Sequence, residues 1–116
     1  MTTEDYVSFE TAKLLKEKGF NISCRFAYTE KGHEFNTCVC SDIPVYAYKP
    51  TLQMAMKWLR EHGWFIHIDI IREASAWLVD VQDIKNDVAI YPVGKEHSSY
   101  EEAAEAAIRY CLENLI

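Results

Sequence analysis

Phe65-Ile66-His67-Ile68-Asp69-Ile70-Ile71 and, one turn later, Trp77-Leu78-Val79-Asp80-Val81-Gln82 decide how this chain folds. Side chains at every second position of a strand share a face, and both runs alternate with that period. Ile66, Ile68 and Ile70 therefore stand on one side, Phe65, His67 and Asp69 on the other. Trp77, Val79 and Val81 separate in the same way from Leu78, Asp80 and Gln82. Val88 to Tyr91, after the turn signal Lys85-Asn86-Asp87, reads as a third strand. Connections this short join antiparallel neighbours, so the region predicts a three-strand meander.

Upstream, Ser23 to Tyr28 and Glu34 to Val39 flank the turn Glu30-Lys31-Gly32, which predicts a further hairpin. Pro44 to Tyr48 reads either as a short edge strand or as an extended approach to a helix. Three segments switch to a helical period. The first has Ser8 as N-cap, runs through Glu10 to Lys18, and presents Phe9, Ala12 and Leu15 as one stripe. Gly19 is placed to end it in the left-handed conformation, with Phe20 folding back on Leu15. The second opens at Pro50-Thr51, shows Leu52, Ala55, Met56 and Leu59, and closes at Gly63, with Trp64 placed to touch Leu59. The third begins at Ser98 or Ser99, where Ser99-Tyr100-Glu101-Glu102 reads as a capping box. Its apolar face continues through Ala104, Ala107, Ile108, Cys111, Leu112 and Leu115, and a Glu105–Arg109 pair adds ~0.3 kcal/mol. Strand runs joined by short turns predict an α+β fold in one domain over residues 1–116. The expected form is an antiparallel sheet of about five strands with three helices packed mainly on one face, a two-layer sandwich.

The 116 residues carry 12 Lys+Arg against 18 Asp+Glu, a formal charge of −6, and 49% are hydrophobic. That composition belongs to a globular domain with a core of its own, and no apolar run reaches the ~18 residues of a bilayer crossing. Scattered basic residues on an acidic chain disfavour nucleic acid as a partner. Without a basic-then-apolar N-terminal segment the expected setting is cytoplasmic, with Cys24, Cys38, Cys40 and Cys111 as free thiols.

Several phrases carry a likeness beyond these patterns. Tyr6-Val7-Ser8-Phe9-Glu10 with Ala12 to Phe20, Pro50-Thr51-Leu52 leading to Lys57-Trp58-Leu59-Arg60-Glu61, and Ser99-Tyr100-Glu101-Glu102-Ala103 leading to Cys111-Leu112 are the most distinctive. Together they resemble a family of short proteins encoded in prophages and mobile elements of Bacteroides-type bacteria. The resemblance implies a phage-related origin and a cytoplasmic setting, and it transfers no functional residue.

For chemistry, Cys38-Val39-Cys40 with His33 and Cys24 comes nearest to a metal site, yet the second ligand pair of a structural zinc site is missing. No phosphate loop, dinucleotide fingerprint or nucleophile elbow occurs, so neither a cofactor, a metal nor a catalytic set is expected. His67 and Asp69 lie on the polar face of their strand, where a His–Asp pair could serve as a general base, and Asp80 and Tyr91 are expected beside them. Trp58 and Met54 fall off the main stripe of the second helix, as an exposed interface anchor would. The expected function is a small noncatalytic accessory protein acting through contact with an unidentified protein partner, with a weak homodimer as a further expectation. His67, Asp69, Asp80, Tyr91, Trp58 and Met54 are the candidate surface. The alternatives are a ligand-binding or hydrolytic domain using His67 and Asp69, and an acidic regulator of a nucleic-acid enzyme using the carboxylates of the third helix.

Overall fold

Among the described residues, two antiparallel sheets, each of three strands, share one hydrophobic core with three helices. The computed structural model describes residues 5–40, 42–85, 90–94 and 96–116, with the side chains of Ile90 and Tyr91 outside that description. The order is α1 (Phe9–Glu17), β1 (Phe26–Tyr28), β2 (Glu34–Asn36), β3 (Ala47–Tyr48), α2 (Leu52–Glu61), β4 (Trp64–Ile71), β5 (Ala76–Asp83), β6 (Ile90–Pro92) and α3 (Tyr100–Tyr110). A wider final turn, Cys111–Leu115, extends α3 and closes with Ile116 N–H donating to Cys111 O.

The helix boundaries follow from local chemistry. Ser8 Oγ accepts from Thr11 N–H, Thr51 Oγ1 from Met54 N–H and Ser99 Oγ from Glu102 N–H, each satisfying an orphan donor of a first turn. At the other end of α1, Gly19 at φ +100° lets Phe20 N–H reach Leu15 O and Gly19 N–H reach Lys16 O. Those two bonds are the Schellman closure predicted from the sequence. Gly63, at φ +94°, turns α2 straight into β4, so the helix lies back over the strand that follows it.

The meander forms as expected, in the order β4-β5-β6. Ile66 faces Val81 and Ile68 faces Val79, and α2 and α3 pack against this side. Residues 86–89, which include Val88 and Ala89 of the expected third strand, lie outside the described residues. Upstream, β1 pairs with β2 and, on its other side, with β3, which settles Ala47–Tyr48 as an edge strand.

Two expectations are corrected. The strands do not form one sheet of about five, but two sheets of three. The physical reason lies after β3: Val7 N–H bonds Pro50 O and Leu52 N–H bonds Asp5 O, so residues 5–7 occupy the backbone that would carry the first sheet onward. The expected Glu105–Arg109 pair is also replaced. Arg109 meets Glu113 at 3.2 Å, whereas Glu105 Oε1 accepts from Thr11 Oγ1 at 2.7 Å and from Ser8 N–H at 3.0 Å. A buried hydroxyl with a carboxylate partner is worth more than an exposed i,i+4 pair, so the longer-range bond wins. Glu105 thus anchors the start of α1 to the middle of α3.

Candidate functional site

The face of the second sheet turned away from α2 and α3 is assembled by register. Phe65 stands opposite Gln82, His67 opposite Asp80 and Asp69 opposite Leu78. Opposite residues in an antiparallel pair have neighbouring side chains. His67 Nδ1 accordingly lies 3.5 Å from Asp80 Oδ2, with the two side chains 47% and 30% exposed. Gln82 Nε2 donates to Asp80 Oδ1 at 3.3 Å. Asp69 turns toward the strand edge, where its Oδ1 accepts from Ile70 N–H at 3.1 Å. Exposed Phe65 and Leu78 flank these polar groups.

The structure therefore brings His67 and Asp80 together and keeps Asp69 on the same face, as expected. It does not add the other three. Tyr91 stands opposite Val81 in the β5–β6 register rather than beside Asp80, and its side chain lies outside the described residues. Trp58 is buried at 7% exposure: Phe20 packs edge-on against its ring at 5.8 Å, and the His62 ring lies 4.1 Å away. His62 Nδ1 donates to Trp58 O at 2.7 Å. Met54 is half-buried against the same core. Of the expected Trp58/Met54 edge, Trp58 is thus interior, because Phe20, brought over by the closure of α1, covers a position that the stripe of α2 alone leaves open.

Chemically, the outer face holds one acid–base pair, His67 with Asp80, and Asp69 nearby. Its described strand positions, from Phe65 to Ile71 and from Ala76 to Gln82, supply no hydroxyl, thiol or amine to act as a nucleophile. The His67–Asp80 pair could only activate water, and it stands half-open to solvent. A cleft of about 510 Å³ lies elsewhere, between the β1–β2 turn and residues 43–46, lined by Lys31, His33, Ile43, Pro44, Val45 and Tyr46 among others. None of its lining residues belongs to the second sheet.

All four cysteines are free thiols, with Cys24 and Cys111 buried, Cys40 half-buried and Cys38 exposed. Burial pushes the Cys24 thiol up to about 11 and that of Cys111 up to about 12, so neither is a ready thiolate. Among the described residues, no group of three or more His, Cys, Asp or Glu is arranged to hold a metal ion. No described helix is long and apolar enough to cross a membrane. The carboxylates of α3 are mostly engaged: Glu102 with Ser98 and, at 4.0 Å, with His97; Glu105 with α1; Glu113 with Arg109.

Comparison with protein-family models, with curated proteins and with solved structures finds no match to this chain.

Proposed function

We propose that this chain is a noncatalytic interaction protein that docks a protein partner on the outer face of its second sheet. One observation carries the proposal: Phe65 and Leu78 stand exposed, 37% and 39%, on a face that α2 and α3 leave uncovered. Apolar side chains beside a fixed polar pair give such a surface both affinity and orientation. The arrangement of α2 and α3 over the opposite face supports two layers for this half of the fold. The likeness of the helical phrases to proteins of prophages and mobile elements supports an accessory role in a phage-derived, cytoplasmic setting.

Two alternatives are weaker. Hydrolysis by water activated at His67 would want a walled site, whereas His67 and Asp80 stand 47% and 30% exposed on the face. An acidic regulator would want free carboxylates in one stripe, whereas Glu102, Glu105 and Glu113 are bound to neighbouring groups.

The test is affinity capture from host cells with the wild-type chain, with Phe65→Lys/Leu78→Lys, and with Asp69→Lys/Asp80→Lys. A partner retained by the wild type and released by both variants supports the docking face. A partner held equally by all three places docking elsewhere and refutes it.

A further inference from the structure

The edge of β4 presents a second surface, distinct from the face. Among the described residues, β4 is the first strand of its sheet and has a ladder neighbour on one side only, β5. Which of its backbone groups are free follows from parity. Ile84 N–H donates to Gly63 O, and across the far side of β5 Val93 N–H donates to Val79 O while Trp77 and His97 exchange both bonds. In an antiparallel ladder a residue directs both its backbone groups to the same side. Residues 77, 79 and 81 therefore serve β6, residues 78, 80 and 82 serve β4, and their partners 69, 67 and 65 spend their groups on β5. Ile66, Ile68 and Ile70 are left pointing theirs outward. Among the described residues, the bond taken by these outward groups is that of Ile70 N–H to the Asp69 carboxylate. A strand of eight residues with a free, isoleucine-rich edge is a template for another strand.

We propose that this edge pairs with β4 of a second copy of the chain, antiparallel about a two-fold axis at Ile68, joining two three-stranded sheets into one of six. The occupant follows from self-complementarity. Only pairings that match outward residues with outward residues close the ladder, which places the axis at residue 67, 68 or 69 for a strand running from Trp64 to Ile71. An axis at residue 67 sets His67 against the partner's His67 and Phe65 against the partner's Asp69. An axis at residue 69 sets two aspartates against each other. An axis at Ile68 matches every position: His67 faces the partner's Asp69, Phe65 faces the partner's Ile71, and Ile66 faces the partner's Ile70. The His–Asp contact occurs twice by symmetry, each time at a closely spaced pair where side chains approach best. The same register covers Ile70, which is 44% exposed in the single chain. Asp69 then has a second role: in the monomer it occupies the Ile70 N–H, and on pairing it passes that donor to the partner's Ile66 carbonyl and turns to the partner's His67.

This pairing leaves most of the docking face open on the joined sheet, while His67 and Asp69 at its margin also meet the partner strand. Sedimentation equilibrium of the full chain should show a reversible monomer–dimer equilibrium. Ile70→Pro removes an outward N–H, leaves the β4–β5 ladder intact, and should weaken the dimer roughly tenfold or more through two lost hydrogen bonds. An isotope-filtered NOE on mixed labelled and unlabelled wild-type protein should connect Hα of His67 with Hα of the partner's Asp69, a contact specific to the Ile68 axis. A chain that stays monomeric at NMR concentrations assigns the edge to some other strand and overturns the proposal. So does a dimer of unchanged affinity in Ile70→Pro, or a wild-type dimer that lacks the filtered NOE. Should Ile70→Pro fail to fold, the NOE decides alone.

Discussion

The two sheets of this protein have equal strand number and opposite means of support. β4 and β5 run eight residues each and meet the core through Ile66, Ile68, Val79 and Val81, so branched aliphatic burial under α2 and α3 holds them. β1, β2 and β3 run three, three and two residues and present few such side chains. Their support comes from rings and polar anchors. Tyr6 packs edge-on against Phe26 and Phe9 against Tyr28, and Lys16 Nζ lies 3.8 Å from the Tyr46 ring centre. Tyr28 Oη donates to Val7 O, and Thr37 Oγ1 donates to Cys24 O and Arg25 O. Burial is non-directional and scales with area, whereas a hydrogen bond or cation–π contact fails when one partner moves. The second sheet should therefore lose stability with volume, and the first with single polar atoms.

Leu59→Ala gives the largest break. Leu59 is fully buried on α2, over β4, and its loss should cost about 2–5 kcal/mol in chemical denaturation. Alkali acts next, and on both regions. Burial raises Cys111 from 9.0 to about 12 and Cys24 from 9.0 to about 11. Burial, then Glu34 and Glu105, raises Tyr28 from 10.0 to about 12. These groups hold their protons longer folded than unfolded, so the stability they confer is complete below about pH 9 and drains away as pH climbs toward 12. Equilibrium denaturation across that window should show a monotonic fall; a flat profile would contradict the burial of all three groups.

Tyr28→Phe removes the bond to Val7 O and should cost about 1–2 kcal/mol. Thiol labelling sharpens the regional contrast here: Cys24, beside β1, should label faster in the variant, with Cys111, in the turn that extends α3, unchanged. Equal acceleration at both would mean that the first sheet and the end of α3 open together. Lys16→Met is the smallest, about 0.5–1 kcal/mol from the Tyr46 contact, and should likewise show at Cys24 alone.

The same contrast explains how far the sequence could be read. The meander was legible because Ile66-His67-Ile68-Asp69-Ile70 and Leu78-Val79-Asp80-Val81 keep a strict period of two, and period is a local property. Helix ends were legible for a similar reason: Ser8, Thr51, Ser99, Gly19 and Gly63 act within a turn of where they stand. The division into two sheets was not, since it depends on residues 5–7 bonding residues 50–52. Of the candidate surface, His67, Asp69 and Asp80 could be set on one face from alternation, but that His67 stands opposite Asp80 depends on the strand register. Trp58 could not be placed, because the ring that buries it arrives from Phe20 on another element. The free edge of β4 was hidden too, as it requires knowing that β4 has one neighbour and which residues face it.

The bond from Thr11 to Glu105 spans 94 positions of the chain, and Lys18 Nζ reaches Ile116 O across 98. In kinetic terms α1 can form its own turns early, but its first turn cannot settle onto the core until α3 is in place to receive it. Closing so long a loop has an entropic cost that grows only slowly with length, yet it must be met before either contact returns anything. Docking of α1 should therefore come late on the folding pathway, after the meander has offered α3 a surface. On unfolding, the same pair of contacts would be among the first to part.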